Sequence, residues 1–230
     1  MFLGHFALAF AAKKVTPAVS LGALFLAAQL ADLVWPMLVL AGIERFEILP
    51  GATAFTPLHF SYYPYSHSLV ALLAWGIALG AAYAVVRKAP IKAALVVAAL
   101  VLSHWVLDFL THAPDLPLTV GGTHKVGLGL WDSIPGTLAV ESVLFIAGAA
   151  LYARVTVARD RIGRYAFYGL LAFLVVVYVA SFAGPPPPSV EAVAVSALAM
   201  WLLVAWGYWI DRHRAVVQNQ PTSAYAPSSR

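Results

Sequence analysis

His104, Asp108 and His112 stand at intervals of four in the stretch His104-Trp-Val-Leu-Asp108-Phe-Leu-Thr-His112. Four positions along a helix climb about 6 Å and turn by about 40°, so three such side chains form one stripe on one face. The surrounding segment is apolar enough to cross a bilayer, where ionisable groups are costly unless they face a bundle interior or a polar cavity. Two imidazoles and a carboxylate aligned there call for a partner, and a divalent cation supplies one.

The composition sets the surroundings of that stripe. The chain has 230 residues, 62% hydrophobic and only 10% charged, with a mean hydropathy of +0.83. A soluble domain carries about 25% charged residues, so the balance predicts an integral membrane protein built as one bundle. Cysteine is absent, which excludes disulfides and thiolate ligands. Any metal must then be held by imidazole nitrogen and carboxylate oxygen, a donor set suited to zinc first and also to manganese, iron or nickel. The net charge of +4 does not point to nucleic acid, because the basic residues fall in short loops between apolar runs and read as topology signals.

Those runs are the elements that must position the stripe. Residues 1–12 would span only about 18 Å as a helix, short of the ~30 Å hydrocarbon core, and predict a half-helix or re-entrant piece. Lys13 and Lys14 follow this piece rather than precede it, which argues that it is retained and not a cleaved signal. Spans are expected over 16–42, 66–86, 91–112, 136–155, 165–183 and 190–210. The last follows Pro185, Pro186, Pro187 and Pro188, a run that cannot continue a helix. The expected fold is an all-α polytopic transmembrane helical bundle, about six spans plus a short N-terminal half-helix. Residues 1–214 form its single transmembrane domain and 215–230 a disordered cytoplasmic tail.

Lys13, Lys14, Arg87, Lys88, Lys92, Arg154, Arg159, Arg161, Arg164, Arg212 and Arg214 all fall on one side. The loops 43–65, 113–135 and 184–189 hold only Arg45 and Lys125 as basic residues. The positive-inside rule puts the C-terminus in the cytoplasm and the long loops outside, in an inner (cytoplasmic) membrane. By helical rise Asp32 lies ~27 Å from Lys14, His67 ~30 Å from Arg87, and His104, Asp108 and His112 ~18, ~24 and ~30 Å from Lys92. Five residues from three helices thus share one level, toward the extracytoplasmic side. His5, ~12 Å from Lys14, is a sixth candidate and sits deeper unless the half-helix is tilted or displaced.

The expected metal ligands are therefore His5, Asp32, His67, His104, Asp108 and His112, around one or two ions. Ser66, Ser68, Ser103 and Thr111 flank the histidines as hydroxyls able to fix imidazole tautomers. Asp32 and Glu141 are the candidate catalytic bases; Glu141 alternatively orients a ligand or pairs with Lys125. Each residue also has a plainer reading: a lone membrane histidine bonding a carbonyl, Asp32 solvated beside Trp35-Pro36, His67 capping its helix. His59, His124 and His213 lie in or beside loops and read as non-ligands, and Asp115 and Asp132 as solvated. Residues 60–65, Phe-Ser-Tyr-Tyr-Pro-Tyr, read as an interfacial aromatic belt or as the wall of a substrate entrance.

Gly4-His5, Asp32, Ser66-His67-Ser68-Leu69 and Ser103-His104 with Leu107-Asp108 and Thr111 occur in that order. Over roughly the first 115 residues this resembles the membrane-bound metal-dependent hydrolase family, the YdjM-like inner-membrane hydrolases. That family shows an early Gly-His, a Pro-Asp-x-Asp, a His-Arg-Gly-x-Thr-His-Ser and a Ser-His-x-x-x-Asp. Here Ala31-Asp32-Leu33-Val34 lacks the second carboxylate, Tyr62 stands at the first His of the third pattern, and His112 extends the last. The resemblance implies metal-dependent hydrolysis, with a shell rearranged or reduced from two metals to one.

Three functions fit the residues. In a hydrolase, a metal-activated water attacks an ester, amide or phosphoester of a lipid or another small substrate reaching the site through the bilayer, with Asp32 or Glu141 as general base. In a proton- or metal-ion-coupled transporter, the same His/Asp cluster is an ion site or relay. In a haem protein, His67 and His104 are axial ligands, against which the interleaved Asp108 argues. No serine nucleophile elbow or glycine-rich phosphate loop is present, so neither covalent catalysis nor nucleotide use is expected.

Overall fold

Hydrocarbon offers no hydrogen bonds, so each apolar run must satisfy its backbone internally, and a helix does so locally. The computed structural model describes residues 1–217. In chain order its elements are α1 (Phe2–Val15), α2 (Leu21–Ala28), α3 (Leu30–Leu40), β1 (Arg45–Ile48), β2 (Leu58–Tyr62), α4 (Pro64–His67), α5 (Leu69–Arg87) and α6 (Ile91–Thr111). There follow β3 (Leu116–Pro117), β4 (Lys125–Val126), a 3-10 turn at Leu130–Asp132, α7 (Ile134–Val155), β5 (Thr156–Ala158), α8 (Arg161–Ala183), α9 (Val190–Ala197), α10 (Met200–Arg212) and β6 (Arg214–Val216). The architecture is an all-α bundle with three two-stranded antiparallel ribbons joining helix ends. Ser20, Ser68, Ser133, Asp160 and Ser189 each accept a backbone N–H three residues on, capping α2, α5, α7, α8 and α9.

Helices α5, α6, α7 and α8 are each long and apolar enough to cross a membrane, as is the continuous unit Val190–Arg212. The expected span over 16–42 is broken: α2 and α3 meet at Gln29 with a bend of 56°. Backbone broken at that depth is tolerated where protein surrounds it, and Gln29 is buried.

Helix α1 lies at the centre, packed along α7 and against α2, α6 and α8. Phe6 and Phe10 meet Phe25, Phe145, Tyr152 and Phe167 there, edge to face or tilted. Close approach depends on small residues, as in other membrane helix pairs. A Cβ at Gly148 of α7 would overlap the Ala7 carbonyl of α1, and one at Gly80 of α5 would come within 2.8 Å of the Ala94 carbonyl of α6.

The two ends of α1 differ. At its C-terminus Lys13 Nζ donates to the Val19 carbonyl at 2.8 Å and to Asp211 at 3.1 Å. At its N-terminus the Met1 nitrogen lies 2.6 Å from Asp108 Oδ1. Beside the Lys13 end, β6 pairs with β5, Val157 opposite Ala215. Ala215 and Val216, expected in the disordered tail, are thus ordered. Strand pairing satisfies their backbone, and Arg214 binds Thr156 and the Gly163 carbonyl over the Phe167 ring. Residues 218–230 of that expected tail lie outside the described residues.

Gly148→Leu is expected to lower the thermal unfolding midpoint in detergent, since overpacking against rigid backbone costs about 1–3 kcal/mol or more. Gly169→Ala is the control: its Cβ would meet only Trp206 at an ordinary 3.7 Å, and helix propensity favours alanine by about 0.5–1 kcal/mol.

Candidate metal centre

Four local features assemble the centre. The break at Gln29 leaves Ala28 at a helix C-terminus, where carbonyls lack intrahelical donors, and puts Asp32 in the first turn of α3. The single turn α4 opens on Pro64 and ends on His67, a proline placement that fits a helix start. Helix α6 carries His104 and Asp108 on one buried face. Helix α1 brings His5 in from the side.

Asp32 Oδ1 lies 3.3 Å from His67 Nε2 and 3.7 Å from His104 Nε2. Asp108 Oδ2 lies 3.1 Å from His104 Nε2 and 3.9 Å from His67 Nε2. Asp108 Oδ1 is 3.1 Å from His5 Nε2, and the His5 and His104 rings stack at 3.6 Å, 3° from parallel. The residues form two overlapping groups able to hold a metal ion, His5–His104–Asp108 and Asp32–His67–His104. All are buried except Asp32, whose side chain keeps 28% of its surface.

Donor chemistry tests whether a cation fits. His104 Nδ1 lies 2.8 Å from the Ala28 carbonyl, which only accepts, so Nδ1 carries the proton and the neutral ring offers Nε2 as a bare lone pair. That atom is buried and, despite its nearness to Asp32 and Asp108, makes no hydrogen bond among the described residues. A lone pair aimed at two carboxylate oxygens calls for a proton or a metal ion between them. A tetrahedral ion with bonds of 2.0–2.2 Å sets its donors about 3.3–3.6 Å apart; the imidazole–carboxylate separations here run from 3.1 to 3.9 Å, and all donors of each group lie within 4.8 Å of one another. The buried His/Asp groups fit a metal ion.

A pocket of about 200 Å³ opens beside the centre, lined by Asp32, Trp35, His67, Asp108, His112 and Trp131 among others. His112 reaches it differently from the expectation. Helix α6 ends at Thr111, His112 turns out of the stripe, and neither metal-holding group includes it. Its Nδ1 is 2.9 Å from Asp115 Oδ1, which also accepts the Tyr63 hydroxyl at 3.1 Å. Phe60, Tyr63 and Trp131 pack round the ring. Asp115, expected to be solvated, is therefore the carboxylate that orients His112. The aromatic stretch divides in two: Tyr62 and Tyr65 are exposed, as a belt would be, while Phe60 is buried in the pocket wall and Tyr63 is buried against Phe60 and His112.

Glu141 is also placed differently. Its Oε2 accepts the Leu3 and Gly4 backbone N–H groups at 2.7 and 3.3 Å, capping α1 from another helix, and Lys125 bonds the Ser61 carbonyl instead. Four N–H groups at a helix start lack internal partners, and inside a bundle a side chain must supply the acceptor. Glu141 thus holds the helix that delivers His5 and is not among the grouped ligands. Of the four flanking hydroxyls, Ser66 alone reaches an imidazole, at 2.7 Å from His67 Nδ1. Ser68 caps α5, and Ser103 and Thr111 bond carbonyls of their own helix. Reasoning from the sequence missed Glu44, which accepts from Ser66; beside Arg45 it carries only the signal of a surface ion pair.

Comparison of the chain with family models, curated proteins and solved structures found no match.

Glu141→Ala is expected to destabilise the fold by about 1–3 kcal/mol, because two buried N–H groups lose their acceptor. Glu141→Gln keeps an amide oxygen for them and is expected to cost less, an order that thermal unfolding in detergent checks.

Proposed function

We propose that this chain is a membrane-embedded metal-dependent hydrolase acting on an ester, amide or phosphoester of a lipid or another membrane-accessible small molecule. The observation that carries the reading is His104 Nε2, buried and unpartnered among the described residues, between the carboxylates of Asp32 and Asp108. The motif order that resembles membrane-bound metal-dependent hydrolases supports the same conclusion.

Zinc suits the donor set best, because imidazole and carboxylate in a small four-coordinate cluster match its preferences. Asp32, His67 and His104 would hold one ion, and His5, Asp108 and again His104 mark a second, overlapping position. When bound, the ion supplies Lewis-acid polarisation of the scissile carbonyl or phosphoryl group and acidifies water. The chain's own residues do the rest. Asp32, the ligand with open surface, faces the pocket in which substrate and water meet. With Nδ1 committed to Asp115, His112 keeps a free Nε2 lone pair, takes a proton from the attacking water and returns it to the leaving group. The aromatic walls exclude bulk water and leave an apolar surface for an acyl chain.

The transporter reading needs a route from the centre to the Lys13 end. That interval is filled by Phe6, Phe10, Phe25, Tyr152 and Phe167, all buried, which favours a one-sided enzyme pocket. The basic residues gathered beside Lys13 and β5–β6 support a cytoplasmic assignment for that end, and an extracytoplasmic one for the pocket.

Protein purified in detergent is expected to carry stoichiometric zinc or a similar divalent metal, lost in His104→Ala and in Asp108→Ala and retained in His112→Ala. Elemental analysis checks this, and a metal-free parent would sink the proposal. Because cysteine is absent, single-cysteine labelling reads topology cleanly. A membrane-impermeant maleimide on intact cells is expected to modify Glu47→Cys and spare Arg159→Cys, both at exposed positions.

A further inference from the structure

Glu44 is the one fully buried carboxylate in the loop between α3 and β1, and it does two separable things. Its Oε1 accepts the Tyr65 and Ser66 N–H groups at 2.8 and 2.9 Å, fixing the start of α4. Its Oε2 is 2.5 Å from Ser66 Oγ, whose other close neighbour is His67 Nδ1 at 2.7 Å. The Tyr63 carbonyl, at 3.5 Å, is the more distant competitor for the hydroxyl proton.

A serine hydroxyl has one proton to give, and a carboxylate only accepts. Ser66 therefore donates to Glu44 and must accept from His67, which places the ring proton on Nδ1. The lone pair is then on Nε2, the nitrogen that faces Asp32 and Asp108. We infer that Glu44 is a positioning residue, setting the His67 tautomer through Ser66 so that Nε2 is available to a cation. Its consequence for metal binding rests on the hydrolase reading; the tautomer itself does not. Partners behind metal-binding histidines typically change affinity 10–100-fold when removed.

The Glu44→Gln variant separates relay from scaffold. The amide oxygen keeps the two backbone N–H groups, while the amide nitrogen, now a donor, faces Ser66 Oγ. Of the acceptors then left to the hydroxyl, His67 Nδ1 at 2.7 Å is much nearer than the Tyr63 carbonyl at 3.5 Å, so the hydroxyl proton is expected to turn to Nδ1 and the ring proton to Nε2, where no cation can be held. Histidine-selective ¹⁵N NMR on chelator-treated protein in micelles reads the tautomer directly, with His67→Gln identifying the signal, and titration with Zn²⁺ reads the affinity.

The parent is expected to show Nδ1–H at His67. Glu44→Gln is expected to show Nε2–H, and Zn²⁺ binding 10–100-fold weaker than the parent's. An Nε2–H parent, or a Glu44→Gln ring unchanged from the parent, overturns the inference. A tautomer that switches in Glu44→Gln while the parent binds no Zn²⁺ leaves the relay standing and removes the metal centre instead. Should Glu44→Gln not fold, Ser66→Ala takes its place, because it leaves Glu44 its two backbone donors. It is expected to give a mixed His67 tautomer and weaker Zn²⁺ binding, and a ring still wholly Nδ1–H there overturns the proposal.

Discussion

A carboxylate buried in an apolar helix bundle has no water to turn to, and Asp108 is that carboxylate. Its two oxygens are surrounded by His5, His67, His104 and the Met1 nitrogen. Isolated charge in hydrocarbon is costly enough that such groups gather donors and cations about them. Several irregular parts of the molecule serve this gathering. The break between α2 and α3 supplies both Asp32 and the Ala28 carbonyl that fixes His104. The single turn α4 supplies His67. The short central α1 supplies His5, with Glu141 holding its start.

These irregularities would be faults in a bundle built for stability alone. A broken helix leaves backbone groups to be paired elsewhere, and Gln29 at the break keeps both side-chain polar atoms buried without partners among the described residues. Departures from regular structure that stability does not reward cluster at functional sites. Here they cluster around one pocket.

Much of this was legible in the sequence, for a physical reason. Helical periodicity put His104 and Asp108 on one face, and rise per residue set Asp32 and His67 at a similar depth. Those are local properties of a helix. What could not be read is partner choice across long sequence separations: Glu141 with Leu3, Glu44 with Ser66, Asp115 with His112. His112 is a different case, since Pro114 lies two residues on and helices stop before a proline. That signal was present and pointed to a residue leaving the stripe. The break at Gln29 had no comparable mark, because neither glycine nor proline stands at it and Pro36 falls seven residues later.

The buried position of α1 bears on how the molecule is made. It precedes α6 and α7 in the chain, and the carboxylate that holds its start lies 138 positions further on. Its polar groups find their partners on α6 and α7, so α1 is not held until both are in place. Docking of α1 must therefore follow that of α6 and α7, and it is the step that brings His5 into the His/Asp cluster.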